Sequence, residues 1–263
     1  MLPSPATASM NAIYPSLAGK RVLITGGGSG IGEVLVAAFV AQGAQVAFID
    51  IAEAPSRALV GRLGQGAAYL PVFEPCDLTD IAALNTAIAR VEQALGGPVE
   101  ILVNNAANDD RHDIAEVTPD YWDNRMAVNL RHLFFAAQAV ASGMRLAGGG
   151  VILNLGSISW HLALPNLVLY QTAKAGIEGM TRAMARDLGA FNIRVNTIVP
   201  GDIKTARQDA LWHDERETAR ILDNQCIKER VLPVDVAALI LFLASDDARL
   251  CTGHDYFIDA GRR

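Results

Sequence analysis

Three side chains in the second half of the chain have the types and the spacing for proton transfer. Tyr170 follows Ser157 by thirteen residues, and Lys174 follows Tyr170 by four. Residues four apart share one face of a helix, where the Lys174 ammonium would stabilise a Tyr170 phenolate and lower the pKa of the phenol from about 10. Tyr170 is therefore a candidate general base, and Ser157 a candidate for holding the substrate oxygen. Taken alone, a tyrosine and a lysine at this spacing favour an ordinary amphipathic surface pair.

A glycine-rich stretch earlier in the chain has the composition of a phosphate-binding turn. Residues 25–32 read Thr-Gly-Gly-Gly-Ser-Gly-Ile-Gly and lie between a predicted strand and a predicted helix. Glycine lets the backbone turn tightly and approach a pyrophosphate, and the helix N-terminus presents free N–H groups to the phosphates. The stretch predicts dinucleotide binding, with a tight turn that holds no ligand as the alternative.

An acidic residue refines this prediction. Asp50 ends the second predicted strand, 24 residues after Gly26. A carboxylate there accepts hydrogen bonds from both hydroxyls of the adenosine ribose and repels a 2′-phosphate. Neither the glycine turn nor Ile51 supplies the Lys or Arg that a 2′-phosphate needs. The pattern favours NAD over NADP, and the alternative is a solvated strand end.

These residues must be positioned by strands and helices that alternate along the chain. Strands are predicted at 21–25, 45–50, 68–73, 100–103, 150–155, 193–199 and 256–258. Helices are predicted at 31–43, 53–63, 79–95, 118–146, 167–190 and 233–244, and the polar segment 204–229 is helix-prone. Thr79 is a candidate N-cap, and Thr118–Pro119 opens the long helix. The alternation predicts an α/β fold, a doubly wound parallel sheet of seven strands with helices on both faces.

The composition excludes several classes of protein. The chain has 263 residues, a formal net charge of −6, 51% hydrophobic residues and 19% charged residues. This balance argues against disorder, and against nucleic acid or an anionic membrane as a partner. The three widely spaced cysteines predict no metal site and a reducing, cytoplasmic compartment. A flexible tail is expected over residues 1–12, followed by a single domain over 13–263.

Further motifs follow in a recognisable order. Asn104-Asn105-Ala106 comes after the fourth strand, Asn129 lies in the next helix, and Pro200-Gly201 comes after the sixth strand. Together with the glycine turn and the Ser157, Tyr170 and Lys174 set, they resemble the short-chain dehydrogenase/reductase family in its NAD-dependent form. The resemblance covers nearly the whole chain. It implies a Rossmann-type sheet, a four-helix contact between subunits and a homotetramer.

The resemblance also implies a role for each matching residue. Tyr170 would be the catalytic base, Ser157 would orient the substrate, Lys174 would bind the nicotinamide ribose, and Asn129 would complete a proton relay through water. The residues implied for cofactor binding are Gly26, Ser29, Gly30, Ile31, Gly32, Asp50, Ile51, Asp77, Leu78, Asn104, Ala106, Tyr170, Lys174, Pro200, Ile203 and Thr205. Ala107 stands where the family usually has Gly, and its extra methyl is expected to be tolerated.

The segments that should surround the substrate are unusually hydrophilic. Their polar residues are Asn108, Asp109, Asp110, Arg111, His112, Ser159, Trp160, His161, Asn166, Asp202 and Gln208. Buried polar groups need partners, so such a wall suits a polyhydroxylated ligand, whereas a steroid or an acyl chain needs apolar walls. Trp160 would offer a flat face to a sugar ring. The predicted substrate contacts are Asn108, Asp109, Ser157, Ser159, Tyr170 and Asp202, and the alternative for several of them is a solvated loop position.

Four stretches sharpen the resemblance. Residues 13–17, 108–112, 156–162 and 251–254 are similar to those of bacterial short-chain pentose 1-dehydrogenases. This likeness implies NAD-dependent oxidation of the C1 hydroxyl of a cyclic pentose to the aldonolactone, with L-arabinose or D-xylose as the sugar and D-galactose or L-fucose as further candidates. A 3-oxoacyl reductase or an alcohol dehydrogenase of the same family is the alternative. A dinucleotide-binding protein without catalysis would be expected to lack Ser157, Tyr170 or Lys174.

Overall fold

Short runs rich in β-branched residues pair as parallel strands of one sheet in the computed structural model, which describes residues 12–212 and 214–262. The strands are β1 (Arg21–Thr25), β2 (Gln45–Asp50), β3 (Val72–Pro75), β4 (Ile101–Asn104), β5 (Gly150–Leu155), β6 (Ile193–Pro200) and β7 (Asp255–Ile258). Their order in the sheet is β3-β2-β1-β4-β5-β6-β7. The predicted seven-stranded, doubly wound parallel sheet is confirmed.

Helices cover both faces of this sheet. They are α1 (Gly30–Ala41), α2 (Glu53–Leu63), α3 (Ile81–Ala94), α4 (Pro119–Met126), α5 (His132–Leu146), α6 (Val168–Leu188), α7 (Ala206–Leu211), α8 (Glu215–Asp223) and α9 (Pro233–Ala244). Helices α1, α2 and α9 pack on one face, and α3, α5 and α6 pack on the other. Successive strand residues point to opposite faces, so Ile24 joins the first apolar layer and Leu23 joins the second.

The strand order places a crevice at one edge of the sheet. Strand β1 lies between β2 and β4, so the chain winds in opposite directions from this point. The register sets Thr25 of β1 beside Asn104 of β4, and Asn104 beside Asn154 of β5. The turns that follow these strands therefore start at the same level, at the carboxyl edge of the sheet.

Two elements begin at least two residues after their predicted starts. Strand β3 was expected at 68–73, but β2 pairs with Val72–Pro75, and Leu70 is exposed. Helix α3 begins at Ile81 rather than at 79, because the Asp80 carboxylate accepts hydrogen bonds from the N–H groups of Ala82 and Ala83 at 2.9 and 3.0 Å. Thr79 instead donates its hydroxyl to Asp77. Asp80 is thus the N-cap.

The helix predicted over 118–146 is interrupted. The Thr118 hydroxyl caps α4 as expected by accepting from the N–H of Tyr121 at 3.2 Å. Residues Ala127–Arg131 then form a π-helical turn before α5 begins. Within this turn the Asn129 amide exchanges two hydrogen bonds with the backbone of Asn108, at 2.8 and 3.0 Å. Such π-turns are commonly found at functional sites.

Two expectations concern the chain as a whole. The flexible tail expected over residues 1–12 falls outside the described residues, except for exposed Ala12. Within 12–212 and 214–262, no helix combines the length and the apolar character needed to cross a membrane.

Candidate active site

A cavity of about 1480 Å³ runs along the carboxyl edge of the sheet. Its walls are the turns that follow β1 to β6, together with parts of α6, α7 and α8. Every residue predicted to bind the cofactor lines this cavity except Asn104. The sheet therefore brings together residues from positions 26 to 233 of the chain.

The glycine turn leaves room for close backbone approach. Gly26 has a φ of 66° and Gly30 a φ of 59°, a region that favours glycine. A Cβ on Gly32 would overlap the carbonyl oxygen of Gly26. The side chain of Ser29, at the N-cap of α1, makes no capping hydrogen bond to the described residues. The first N–H groups of α1 thus face the cavity as donors for a ligand.

The turn after β4 holds the glycine turn in place. The Asn105 amide donates to the carbonyl oxygens of Thr25 and Gly26 at 3.0 and 2.9 Å. In return, the Thr25 hydroxyl accepts from the N–H groups of Asn105 and Ala106 at 3.0 and 3.1 Å. Asn105 and Ala106 line the cavity, and Ala106 would contact any side chain placed on Gly26.

Asp50 occupies the expected position at the end of β2. Its carboxylate accepts from the N–H groups of Gly28 and Ala52, both at 2.8 Å, and faces the cavity. A Cβ on Gly28 would lie 3.0 Å from this carboxylate and closer still to the Ser56 hydroxyl, so a side chain there would displace one of them. A glycine-rich turn, a helix N-terminus and a fixed carboxylate fit the pyrophosphate and the ribose of a nicotinamide dinucleotide.

The three candidate catalytic side chains converge on the same cavity. Ser157 follows β5, and Tyr170 and Lys174 come from α6. The Lys174 ammonium lies 5.4 Å from the centre of the Tyr170 ring and donates to the carbonyl oxygen of Leu155 at 2.7 Å. The Ser157 hydroxyl donates to the hydroxyl of Ser159 at 3.0 Å. The arrangement places a phenol, a hydroxyl and a buried amine around one end of the cavity.

Burial controls the proton affinities of this group. It raises the pKa of Tyr170 above its ordinary value; the negative charge of Asp109 raises it further, and a hydrogen bond with Ser157 opposes the rise. Burial lowers the pKa of Lys174 to about 7, against an opposing effect of Asp109. The prediction that Lys174 lowers the pKa of Tyr170 is therefore wrong for the protein alone. Lys174 is only partly charged near neutral pH, so desolvation of the phenol dominates.

Two asparagines predicted to act in the site lie behind its wall. Asn104 is buried, and its amide donates to Asn154 of β5 at 2.9 Å and to the carbonyl oxygen of Leu133 in α5 at 3.3 Å. Asn129 is fully buried, and its amide is bonded to the backbone of Asn108. Neither residue lines the cavity. Asn104 ties two strands to a helix, and Asn129 fixes the loop that carries Asn108.

The predicted substrate contacts all line the end of the cavity near Tyr170. They are Asn108, Asp109, Ser157, Ser159, Tyr170 and Asp202. Of the other polar residues noted in these segments, Arg111 and Gln208 also line the cavity, whereas Asp110, His112, Trp160, His161 and Asn166 do not. The wall is therefore polar as expected, but fewer of the predicted polar residues line it.

Trp160 does not face the cavity as expected. Its indole N–H donates to Glu178 of α6 at 2.8 Å, and its ring lies 3.8 Å from the ring of His161. Trp212 contributes the aromatic side chain instead, with the Arg111 guanidinium 4.4 Å from its ring centre. The buried carboxylate of Glu178 draws Trp160 away from the substrate end.

Two arginines that support this end were missed. Arg207 of α7 lines the cavity and pairs with Asp109 at 3.2 Å and with Asp110 at 2.8 Å. Arg262, 3% exposed, forms an ion pair with Asp202. The sequence feature that could have identified Arg207 as a site residue is its position two residues after Thr205, which is a predicted cofactor contact. Arg262 lies 60 residues from its partner, and no local pattern marks it.

Comparisons with known proteins agree with this geometry. A family model described as "Enoyl-(Acyl carrier protein) reductase" matches residues 26–263. The chain is 58% identical to a D-xylose 1-dehydrogenase of Caulobacter vibrioides over 96% of this chain and 99% of the relative. It is 46% identical to a probable galactose dehydrogenase of Rhizobium meliloti, over 94% and 96% of the two chains. A solved 7α-hydroxysteroid dehydrogenase with bound NADH superposes with a TM-score of 0.89 at 31% identity, over 95% of this chain and 96% of the other.

The crowding at Gly32 gives a prediction for the glycine turn. In Gly32→Ala the new methyl displaces Gly26, so the affinity for NADH, measured by fluorescence titration, should fall by at least about tenfold. Gly61→Ala is the matched control, because nothing lies within 4 Å of its Cβ inside α2. It should bind NADH normally and gain about 0.5–1 kcal/mol of stability. Normal NADH binding by Gly32→Ala would contradict this account of the turn.

The lowered pKa of Lys174 gives a prediction about stability and pH. Between pH 7 and the ordinary lysine pKa near 10.4, the unfolded chain binds more protons than the folded one, so stability rises with pH by up to about 1.4 kcal/mol per unit. Urea unfolding at fixed protein concentration should show a steeper rise for the wild type than for Lys174→Met. Lys228→Met, which removes an exposed lysine, should keep the wild-type slope. Equal slopes for the wild type and Lys174→Met would refute the assignment.

Proposed function

The chain belongs to the short-chain dehydrogenase/reductase family, and on that premise we propose that it oxidises the C1 hydroxyl of a cyclic aldose to the aldonolactone, with NAD as the hydride acceptor. The chain is an oxidoreductase. The observation that carries the choice of substrate is the set of carboxylate, amide and hydroxyl groups beside Tyr170, which can bond the hydroxyls of a sugar but would lack partners against a steroid or an acyl chain. The relatives named for D-xylose and galactose support the same class.

The choice of NAD rests on Asp50. When bound, the dinucleotide supplies the acceptor for a hydride. The backbone N–H groups of Gly28 and Ala52 donate to the Asp50 carboxylate and fix its orientation at the end of β2. Each carboxylate oxygen keeps a lone pair for a ribose hydroxyl, and the same negative charge repels a 2′-phosphate.

Ser157 and Tyr170 act on the C1 oxygen of the sugar. The Ser157 hydroxyl is oriented by the N–H of Ser159, which donates to it at 3.1 Å. Ser157 would hold the C1 oxygen while the Tyr170 phenolate accepts its proton, which leaves C1 free to lose hydride. Burial and Asp109 both keep Tyr170 protonated, so proton transfer becomes easier as the pH rises. A protonated Lys174 next to the ring favours the phenolate.

The proton leaves Tyr170 through the Lys174 end of the site. Lys174 is buried, with a pKa near 7, so its amine exchanges a proton readily near neutral pH. Asn129 was expected to continue the path through water. Its side chain is committed to Asn108, so we assign it to fixing the wall that carries Asn108 and Asp109. The lactone then leaves the site and opens by hydrolysis.

The remaining hydroxyls of the sugar face four polar groups. These are Asn108, Asp109, Ser159 and Asp202, which line the cavity next to Ser157 and Tyr170. The Asp202 carboxylate is held by buried Arg262, and Asn108 is held by Asn129. Because these groups are already fixed, they lose little side-chain conformational entropy when they bind the hydroxyls. L-arabinose and D-xylose are the first candidates, followed by D-galactose and L-fucose.

We also propose a homotetramer in a reducing, cytoplasmic compartment. Large apolar side chains stay exposed on the outer helices, among them Trp122 on α4 at 44%, Phe134 on α5 at 43% and Val168 on α6 at 41%. A second copy of the chain would cover this surface. Three cysteines remain free thiols, as a reducing compartment allows. Light scattering of the purified protein tests the assembly.

The role of Asp50 leads to a prediction about cofactor preference. Asp50→Asn keeps the shape but removes the charge, and Asp50→Ala removes both, so the ratio of kcat/KM for NAD to that for NADP should fall at least about tenfold in each variant. Glu53→Ala, which removes an exposed carboxylate three residues later, should leave the ratio unchanged. An unchanged ratio in both Asp50 variants would refute the choice of NAD on this ground.

The proposed reaction is tested by a panel of substrates. L-arabinose, D-xylose, D-galactose, L-fucose, D-glucose and several secondary alcohols are incubated with NAD, and NADH formation is followed by absorbance. We expect rapid oxidation of one or two aldoses and a lactone as the first product. If only the alcohols are oxidised, the family assignment stands and the assignment of a sugar substrate is wrong.

The assignment of the base is tested in the same assay. Tyr170→Phe should lower turnover by about 10²-fold or more, with NADH binding nearly intact, because the ring is kept and the proton acceptor is lost. Tyr69→Phe, at a half-exposed tyrosine outside the cavity, is the matched control. Turnover by Tyr170→Phe at the wild-type rate would exclude the mechanism.

A further inference from the structure

Four side chains fasten helix α7 to the loop after β4 across the substrate end of the cavity. We call this set the clasp: Asp109, Asp110, Arg207 and Gln208. Arg207 Nη2 donates to Asp109 Oδ1 at 3.2 Å and to Asp110 Oδ1 at 2.8 Å. Gln208 Nε2 donates to Asp109 Oδ2 at 2.6 Å. The contacts join residues that are about a hundred positions apart in the sequence.

The Asp109 carboxylate has acceptor capacity left after these contacts. A carboxylate offers about four lone-pair positions, and α7 uses one on each oxygen. The Asp109 side chain is 24% exposed and lines the cavity. The free positions are therefore available to hydroxyl groups of a ligand, at an orientation that the two α7 donors set.

Asp109 lies close to the reacting end of the site. It raises the pKa of both Tyr170 and Lys174, which places its charge within electrostatic reach of the two groups. Asp110, the other acceptor of Arg207, does not line the cavity and is half-exposed. Asp109, Arg207 and Gln208 all line the cavity, and Asp109 is the one whose charge reaches Tyr170 and Lys174, while Arg207 and Gln208 hold its carboxylate.

Helix α7 is itself fixed next to the cofactor region. The Thr205 hydroxyl caps it by accepting from the N–H of Gln208 at 3.2 Å, and Thr205 lines the cavity. Arg207 is half-exposed, so its ion pairs add little to stability. Their effect is to orient Asp109.

We propose that Arg207 and Gln208 are positioning residues for sugar recognition, which hold the Asp109 carboxylate where it accepts hydrogen bonds from hydroxyls of the aldose. This inference rests on the proposed aldose oxidation. Under this proposal, α7 affects the affinity for the substrate through Asp109. It takes no part in hydride or proton transfer.

The test compares steady-state kinetics of Arg207→Gln and Gln208→Ala with the wild type. We expect KM for the best aldose to rise about tenfold in each variant, as for the loss of one hydrogen bond to a charged group, with kcat within about threefold. KM for NAD should not change. Arg207→Lys keeps the charge without the planar fork and should recover part of the loss. Arg125→Gln is the matched control, because Arg125 pairs with Asp110 at 3.4 Å and leaves Asp109 untouched.

Monodeoxy analogues of the same sugar identify the interaction. An analogue that lacks the hydroxyl bound by Asp109 should have nearly the same KM in the wild type and in Arg207→Gln. If KM for the aldose is unchanged in both α7 variants, the inference is wrong and the proposed function stands. The same conclusion follows if Arg207→Gln raises KM equally for every monodeoxy analogue. If the wild type oxidises no aldose, the proposed function and the inference fail together.

Discussion

Hydrogen bonds between Thr25 and Asn105 lock the glycine turn after β1 against the turn after β4. The same short segment is tied on its other side to the junction of α4 and α5. There Asn129 holds the backbone of Asn108, and the ring of His132 contacts the Ala106 carbonyl oxygen at 3.2 Å. Burial lowers the pKa of His132 to about 4, so the ring is neutral and donates one N–H. The four residues from Asn105 to Asn108 thus set the distance between the cofactor region and the substrate region.

The second constraint is the cost of placing ionisable groups where water is excluded. Burial works against the charged forms of Tyr170 and Lys174 alike. Asp109, in the loop after β4, adds a negative charge to the same region. The proton affinity of the site therefore depends on loops that are distant in sequence, and not only on the helix that carries Tyr170 and Lys174.

The sequence predicted the fold and most of the site, because parallel strands must bring their carboxyl ends to one edge. It could not show which of two adjacent asparagines faces the cavity, because strand register decides that Asn104 points to α5 while Asn105 reaches the glycine turn. The position of β3 was missed because Tyr69 and Leu70 have strand-like side chains but stay exposed. Trp160 was misplaced because its direction depends on Glu178, eighteen residues away.

The ion pair between Asp202 and Arg262 has a practical consequence for protein engineering. Arg262 is buried and pairs with a residue of the cavity wall, so replacing it with an uncharged side chain would leave the Asp202 carboxylate without its partner beside the substrate region. Libraries aimed at a new sugar preference should therefore keep Asp202 and Arg262 together or change both at once. A label for following the enzyme can be attached far from this pair, at the exposed loop around Gly66, where an added Cβ meets no atom within 4 Å.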